Sequence, residues 1–191
     1  LKRINVEIVR PDINECFANF RTINDKFYYA LGGIKAVGFE AISNIVKERN
    51  LNGKFKSIHD FITRVNPKDI NKLQLEGLVK AGAFDQLNSN RQSLFNSIPN
   101  FILKSKNNFE NNQVNQIDLF KEDTEISESY IEKIEDWPAD IKLSKEFETL
   151  GFFISDHPLN QYKSLFDQYN IISYEKFNIS EDILSSNIAC T

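Results

Sequence analysis

The pattern of hydrophobic and polar positions predicts a mainly α-helical chain that opens with a short β segment. Residues 4–10 alternate between apolar and polar side chains before Pro11, and residues 26–31 are aromatic, so we predict a short strand in each stretch. From Gly38 onward the apolar positions recur at helical spacing, which predicts an amphipathic helix with Arg49 on its polar side.

Start and stop signals divide the next stretch into several short helices. Ser57 with Asp60, and Asn71 with Gln74, have the spacing of residues that cap the start of a helix. Gly82 follows the second of these predicted helices, at the position where a helix end favours a residue that tolerates positive φ.

Polar residues dominate the chain from about Lys106 to Asp136, where few positions can form an apolar stripe. We interpret this stretch as an acidic flexible linker, with one helical turn around Tyr130–Ile134. Helices are predicted to resume at Trp137 and to lead into the beginning of a strand at the end of the chain. These patterns predict four regions: 1–30 with short strands, the helical region 31–105, the linker 106–136 and the helical connector 137–191.

The charges are distributed unevenly, although the chain of 191 residues carries a net charge of only −4. Residues 26–106, which we call the basic block, hold 13 Lys and Arg against 6 Asp and Glu, whereas residues 107–148 hold 4 against 12. Such asymmetry is expected where one part of a chain meets a polyanion and the next part does not. A solvated surface without a ligand is the alternative interpretation of the same counts.

Composition excludes several functional classes. The sequence holds no run of about 18 apolar residues that could cross a bilayer, and its first residues lack the apolar block of a signal peptide. Two cysteines and two histidines are too few for a disulfide framework or a clustered zinc site, which favours a cytoplasmic setting. Because the chain begins with Leu and contains no Met, we expect it to be a fragment of a longer protein.

A glycine-containing turn directly precedes the first predicted helix, in the segment 31–46. The first N–H groups of a helix have no partner inside it and carry the positive end of its dipole, so such a turn can hold a phosphate, and Lys35 would add a charge. A P-loop is excluded because Phe39 and Glu40 stand where Lys and Ser or Thr are required, and no two glycines have the spacing of GxGxxG. A helix-hairpin-helix phosphate contact and a plain capping turn both remain open.

A second candidate hairpin spans residues 78–87, where one helix stops at Gly82 and another begins after Asp85. With Lys72, Lys80 and Arg91 nearby, two hairpins could contact two phosphates of a duplex without reading its bases. The alternative, a helical hairpin packed in a core, is favoured for this second turn.

The segment QIDLF at residues 116–120 places a Leu-Phe pair in the predicted linker, where no core is available to bury it. Such a pair either collapses without function or docks into an apolar pocket of another protein. No catalytic constellation is predicted, because Ser155, Asp156 and His157 are consecutive and cannot align as a triad. The carboxylates concentrate in the linker, where nothing would hold them around a metal ion.

Six segments, in order, resemble the C-terminal half of the bacterial replicative DNA polymerase III alpha subunit family. These segments are VEIVRPDIN, YALGGIKAVGFEAISNIVKER, FKSIHDFITRV, NKLQLEGLVKAGAFDQL, QIDLF and KLSKEFETLGFFISDHPLNQY. The resemblance implies a tandem helix-hairpin-helix element from Leu31 to about Ile98, at the end of the fingers, that contacts the backbone of duplex DNA. It also implies that the chain after Ile188 enters an OB-fold, which is truncated here.

The same resemblance implies functional residues and partners. The DNA-contacting residues that it implies are Lys35, Ala36, Val37, Gly38, Phe39, Lys80 and Gly82. The residues that it implies for binding the sliding clamp, the beta subunit, are Gln116, Ile117, Asp118, Leu119 and Phe120. Other replicase subunits are expected to bind through the parent chain. The catalytic aspartates and their Mg²⁺ belong to the palm domain upstream, so we expect no catalytic residue, metal or cofactor in this segment and no activity from it alone.

Two positions depart from the family's pattern, which usually has Gly where this chain has Ala36 and Asp156. Two other functions are compatible with the hairpins. A helix-hairpin-helix DNA-repair enzyme would need a catalytic Asp or Lys beside the second hairpin, where only Asp85 and Lys80 are candidates. A helical scaffold that binds only proteins is the other alternative, and the charge of the basic block argues against it.

Overall fold

Three short strands open the part of the chain that the computed structural model describes, which comprises residues 6–113 and 131–172. They form one sheet in the order β1–β3–β2, with β1 at Glu7–Val9, β2 at Arg21–Ile23 and β3 at Lys26–Tyr28. β1 runs parallel to β3, whereas β2 pairs with β3 in the antiparallel direction.

The two predicted strands, within 4–10 and 26–31, are confirmed, whereas the sequence pattern does not predict β2. All three residues of β2 are exposed, so they lack the alternation that marks a half-buried strand. Asn24 and Asp25 connect β2 to β3 with φ angles of 48° and 60°, the left-handed pair that a two-residue hairpin turn requires.

Three helices of the basic block follow: α1 at Phe39–Asn52, α2 at Ile58–Arg64 and α3 at Lys72–Lys80. Their predicted caps are confirmed. The Ser57 hydroxyl accepts a bond from the N–H of Asp60, and Asn71 and Gln74 exchange reciprocal bonds at the start of α3. Gly82, with a φ of 78°, follows the end of α3 in the left-handed conformation.

The prediction that Arg49 lies on the polar side of α1 is wrong. Its side chain is buried, and its guanidinium donates to the carbonyl oxygens of Ile13 and Cys16 at 2.7 and 2.8 Å. Arg49 follows Ile42 and Ile45 at helical spacing, so it lies on the buried face of α1, which the N-terminal loop covers. The prediction followed the charge of Arg49 and not its spacing. Arg49 thereby supplies donors to two loop carbonyl groups that the fold buries.

Helix α4, at Arg91–Gln113, extends beyond the boundary that the sequence predicts at residue 105. Leu94, Ile98 and Phe101 anchor its first half in the core. The residues that follow are mostly polar and continue the helix. Composition alone does not distinguish such a helix end from a linker, which is why the predicted start of the linker is wrong.

The other end of the predicted linker also packs on the fold. Residues 131–136 lie along α4 and do not form the helical turn predicted there. The backbone N–H of Glu132 donates to the Ser97 hydroxyl at 2.9 Å, and the Asn90 amide donates to the carbonyl oxygen of Ile134 at 2.6 Å. Side chains of α4 thus satisfy backbone groups that a helical turn would pair internally. We call this arrangement of residues 131–136 on α4 the α4 clasp.

One hydrophobic core joins the N-terminal loop to the helices. Ile13, Cys16 and Tyr29 belong to the same cluster as the buried residues of α1 to α4. Residues 1–30 and 31–105 therefore do not build separate cores, although the sequence pattern separates them. Burial raises the pKa of the Cys16 thiol to about 11, so this thiol stays protonated at neutral pH.

Helix α5, at Ala139–Leu150, is followed by Gly151 with a φ of 82°. The chain divides after Ser155 into a second compact unit, in which a short 3-10 helix at Pro158–Tyr162 precedes α6 at Lys163–Gln168. No helix in the described part of the chain is long and apolar enough to cross a membrane. The strand predicted at the end of the chain, and with it the entry to an OB-fold, lies outside the described residues.

Candidate nucleic-acid interface

The first hairpin is a loop that buried apolar side chains hold in place before α1 begins. Its three apolar anchors, Leu31, Ile34 and Val37, are buried in the core. The exposed positions around these anchors are Lys35, Ala36, Gly38 and Phe39. The structure therefore brings the five residues predicted in this hairpin onto one short loop, with four at the surface and Val37 beneath them.

Two close backbone contacts seat this loop on its neighbours. The N–H of Lys35 donates to the carbonyl oxygen of Thr149, near the end of α5, at 3.1 Å. A Cβ atom at Gly77 of α3 would lie 2.8 Å from the Lys35 carbonyl oxygen, closer than Cβ atoms approach in proteins. Gly77 therefore permits the loop to lie directly on α3.

Ala36 adopts a backbone conformation that favours glycine. Its φ is 65°, in the left-handed region, where a residue with a Cβ atom costs roughly 1 to 2 kcal/mol. The buried neighbours Ile34 and Val37 and the bond from Lys35 to Thr149 fix the loop around it. The residue that departs from the family's pattern thus stands where glycine would relieve strain.

The start of α1 offers backbone donors next to a lysine. Gly38 precedes the helix without a side-chain cap, and no described residue accepts a bond from the N–H groups of Gly38, Phe39 or Glu40. An anion placed here would meet these donors, the helix dipole and the charge of Lys35, partly opposed by the carboxylate of Glu40 in the first turn. Such an arrangement can hold one phosphate without reading a base.

Several other cations of the basic block are already paired with carboxylates. These pairs are Lys26–Glu7, Lys54–Glu15, Arg64–Glu48, Lys72–Glu76, Lys80–Glu148 and Arg91–Asp85. Lys35, Lys56 and Lys68 are exposed and make no ion pair with another residue that the structure describes. Of these three, Lys35 lies on the loop where the phosphate contact is predicted.

The second hairpin does not present its backbone to a ligand, so the predictions for Gly82 and Lys80 need correction. Gly82 is buried, and a Cβ atom there would overlap the guanidinium of Arg91. Lys80 donates to Glu148 of α5 at 2.8 Å, and its side chain is only 13% exposed. A helical hairpin packed in the core, the alternative that the sequence favours, therefore describes this turn better than a phosphate contact does.

The sequence places Arg91 only near the second hairpin. In the structure, Arg91 connects the end of α3 to the turn that follows it. The guanidinium makes two bonds to the Asp85 carboxylate, at 2.9 and 2.6 Å, and one to the carbonyl oxygen of Lys80 at 3.2 Å. The carboxylate of the fully buried Glu146 lies 4.0 Å away. Burial alone would lower the pKa of Arg91, but these carboxylates raise it above its ordinary value. The partners come from separate elements, so local periodicity contains no sign of this role.

The candidate catalytic side chains of the repair-enzyme alternative are both engaged in ion pairs, Asp85 with Arg91 and Lys80 with Glu148. Within the described ranges, no group of three His, Cys, Asp or Glu side chains could hold a metal ion. The predicted clamp-binding residues 116–120 lie outside the described residues.

Comparison with known proteins places these observations in a family context. Residues 5–94, which include both hairpins, match a family model described as a helix-hairpin-helix motif. The chain is 35% identical over 176 residues to the DNA polymerase III subunit alpha of Borreliella burgdorferi, 33% over 172 residues to that of Escherichia coli K12, and 40% over 156 residues to that of Rickettsia bellii. The matches cover 90%, 87% and 79% of this chain. The chain spans 13% to 15% of the length of these relatives.

Proposed function

The chain belongs to the DNA polymerase III alpha subunit family, and on this premise we propose that it serves as a non-catalytic part of a replicative DNA polymerase. In this proposal the segment contributes sequence-independent contact with duplex DNA and a tether to the sliding clamp. The parent enzyme would carry out DNA-directed DNA synthesis in the cytoplasm. Family membership supports a role in a replicative polymerase, and the geometry of the first hairpin supports the contact with duplex DNA.

The observation that carries the duplex contact is the exposed start of α1 beside Lys35. Backbone N–H groups and a nearby cation bind a phosphate through hydrogen bonds and charge, neither of which depends on the base. In the second hairpin, which Arg91 closes, the N–H groups of Gly82, Ala83 and Asp85 already donate to carbonyl oxygens of the chain. We therefore infer one phosphate contact from this element, at the first hairpin, with the second hairpin as its support.

Binding of a labelled duplex, followed by fluorescence anisotropy over a salt series, tests this contact. We expect an affinity that does not depend on sequence and that falls with rising salt, because neutralised phosphates release counterions. Lys35→Glu should weaken binding, whereas Lys56→Glu makes the same charge change at an exposed lysine outside the hairpin and should weaken it much less. Equal losses in the two variants, or an affinity that salt does not change, would contradict a phosphate contact at the first hairpin.

We further propose that residues 116–120 bind the sliding clamp. Leu119 and Phe120 would fill an apolar pocket, and Gln116 would fix the register through hydrogen bonds. A weak contact with a clamp around DNA raises the effective concentration of polymerase at the primer end. Few contacts would then suffice for long synthesis.

Anisotropy of the labelled chain against the cognate clamp tests the tether. The double variant Leu119→Ala/Phe120→Ala should lose binding and keep its helical circular dichroism, whereas Ile126→Ala, in the same stretch, should retain binding. Loss of helicity in the double variant would assign these residues a structural role. If the unaltered chain does not bind the clamp at micromolar concentrations, the tether proposal fails.

The repair-enzyme alternative has less support, because its candidate side chains Asp85 and Lys80 are held in ion pairs. We propose that the chain has no catalytic activity alone and that the Mg²⁺ of the parent polymerase acts in the palm domain. Primer-extension, strand-cleavage and base-release assays on the purified chain should all be silent. Strand cleavage or base release would favour the repair enzyme instead.

A further inference from the structure

An asparagine directly precedes a glycine at the end of α1, a dipeptide that occurs once in the sequence. Asn52 is the last residue of the helix, and Gly53 follows it with a φ of 83°. Both residues are exposed. The backbone nitrogen of the residue after an asparagine can attack the asparagine side chain, and glycine hinders this attack least because it has no Cβ atom. Whether the two groups can meet depends on the bonds that hold each of them in the fold.

The backbone nitrogen of Gly53 is not held by the helix. Inside a helix, an N–H group donates to the carbonyl oxygen four residues earlier, which for Gly53 is that of Arg49. The N–H of Gly53 donates to no residue that the structure describes, whereas the N–H of Gly151, directly after α5, donates to the carbonyl oxygen of Phe147 at 2.8 Å. A Cβ atom at Gly53 would meet no described atom within 4 Å outside its two chain neighbours. The Gly53 nitrogen can therefore turn toward Asn52 without breaking a hydrogen bond of the described chain.

The side chain of Asn52 is held by a hydrogen bond to Glu48, one turn earlier. The Asn52 amide nitrogen donates to a carboxylate oxygen of Glu48 at 2.8 Å, and the same oxygen accepts a bond from Arg64 at 3.1 Å. Because the bond to Glu48 holds Asn52 in its helical position, attack by the Gly53 nitrogen requires the last turn of α1 to open. The end turns of helices open more readily than their interiors, so this bond slows the attack without preventing it.

We propose that Asn52 and Gly53 form a site of spontaneous deamidation and that Glu48 is the residue that slows it. The Gly53 nitrogen forms a bond to the side-chain carbonyl carbon of Asn52, and the bond from that carbon to the amide nitrogen breaks. Ammonia leaves with the proton that the Gly53 nitrogen loses, and a succinimide ring remains. Water then opens the ring at one of its two carbonyl carbons and returns a proton to the nitrogen. Opening at the side-chain carbon gives aspartate, and opening at the main-chain carbon gives isoaspartate.

The two products should affect the fold differently. Both place a carboxylate one turn from Glu48 at the negative end of the α1 dipole, where added negative charge destabilises a helix. Isoaspartate also adds one carbon to the backbone between α1 and Phe55. The ring of Phe55 is buried, and its N–H and carbonyl oxygen bond the side-chain amide of Asn14 at 2.8 and 2.9 Å. A longer backbone strains this fixed connection, so isoaspartate should lower the Tm more than aspartate does, and equal Tm values of the separated products would contradict that strain.

Incubation of the whole folded chain at mildly alkaline pH, followed by peptide mapping with mass spectrometry, tests the proposed site. Each deamidated asparagine gains the mass by which OH exceeds NH₂. Asn88, which precedes Ser89, is the internal control, because a small residue also follows it but its side-chain oxygen accepts the N–H of Asn90 at 2.9 Å. We expect Asn52 to convert at least about tenfold faster than Asn88, which corresponds to a barrier lower by about 1.4 kcal/mol. Equal rates at the two asparagines, or conversion of Asn52 only in urea, would overturn the proposal.

Two variants test the role of Glu48. Glu48→Ala removes the acceptor of the Asn52 amide and should raise the rate at Asn52 at least about twofold, the order of change expected from the loss of one hydrogen bond. Glu40→Ala removes an exposed carboxylate from the first turn of the same helix and should leave the rate unchanged. Equal rates at Asn52 in the two variants would overturn the role of Glu48. An equal increase at Asn88 in Glu48→Ala would also overturn it, because the effect would then come from general unfolding.

Discussion

Ala36 carries backbone strain at the point where the first hairpin meets α1, with a φ of 65°. The strain persists because buried neighbours and the bond from Lys35 to Thr149 hold the loop in a single path. At the scale of one residue, the strain at Ala36 lowers the free energy of unfolding. Substitution of Ala36 by glycine should therefore stabilise the fold, whereas glycine usually destabilises it.

Ala36→Gly should stabilise the folded chain by about 1 kcal/mol, because relief of the left-handed strain outweighs the greater freedom of glycine in the unfolded chain. Ala41→Gly is the matched control. Ala41 lies in α1 with right-handed geometry, so its replacement should destabilise the chain by about 0.5 to 1 kcal/mol. Urea unfolding of both variants measures the difference, and destabilisation of equal size in the two would show that position 36 is unstrained.

At the scale of elements, Arg91 connects the end of α3, the turn after it and α5. It contacts Asp85, the carbonyl oxygen of Lys80 and the buried carboxylate of Glu146. Removing one partner from a buried ion pair leaves the other charge without compensation, which usually costs more than the pair contributes. The second hairpin is therefore an element whose stability depends on one side chain.

Arg91→Met should lower the free energy of unfolding by about 3 kcal/mol or more, because it leaves the Glu146 carboxylate buried without a cation. Arg64→Met is the comparison. Arg64 is less buried and pairs with Glu48 and Asp60 nearer the surface, so we expect a loss of about 1 kcal/mol. Denaturant unfolding measures the loss in each variant. Similar losses would mean that the buried contacts of Arg91 stabilise the fold no more than the more exposed ion pairs of Arg64 do.

The α4 clasp should be sensitive to acid through Asp136. Its carboxylate accepts the backbone N–H groups of Gln92 and Trp137 and pairs with Lys142. Burial would raise its pKa, but the bonds from Lys142 and the two N–H groups outweigh burial and lower the pKa below the ordinary value of 3.8. The stabilisation is therefore complete above that value and is lost as the pH falls through the lowered pKa.

Fluorescence of Trp137, the chain's single tryptophan, reports on this clasp because its ring lies 5.4 Å from that of Phe95. We expect its emission to change as the pH falls below about 4, the ordinary range of an Asp carboxyl group. Asp136→Asn should abolish that step and leave the chain folded at neutral pH. An identical acid transition in this variant would assign the pH dependence to other carboxylates.

Among the elements, those with local signals are predictable from the sequence, and those set by distant contacts are not. The caps at Ser57 and Asn71 are fixed by residues three positions away, and both are confirmed. Strand β2 forms through pairing with β3, and the end of α4 continues a helix begun in the core. Arg49 has the spacing of the buried face of α1, but its charge argues against burial, and the carbonyl groups of the N-terminal loop that accept its bonds lie far away in the sequence.

The candidate site also has features that local sequence signals predict and features that depend on distant contacts. The loop from Lys35 to Phe39 follows from glycine and helix-start signals, and the structure places these residues together. The closure of the second hairpin by Arg91 depends on Asp85 and on Glu146 from α5, which no local motif connects. The ring of Tyr29 likewise contacts both Phe20 and Phe152, which lie far apart in the sequence.

At the scale of the whole molecule, the N-terminal loop and the helices share one core. Ile13, Cys16 and Tyr29 pack in the same cluster as the helices of the basic block. The predicted boundary at residue 30 is therefore not a boundary between folding units. The chain divides after Ser155 instead.

Truncation tests this division of the molecule. Deletion of residues 1–30 should abolish the cooperative thermal transition of the remaining chain, because it removes buried side chains from the core. Deletion of residues 156–191 should retain a cooperative transition, because the first unit keeps its own core. A cooperative transition of undiminished Tm after the first deletion would contradict a shared core, and its loss after the second would contradict an independent first unit.

The packing of the first hairpin on α3 and α5 also affects the entropy of association. Contacts with Gly77 and Thr149 hold the loop on α3 and α5, so a bound phosphate has little backbone left to order. Association then avoids much of the conformational entropy loss that a mobile loop would suffer. A preorganised loop of this kind can contribute one modest contact at little entropic cost.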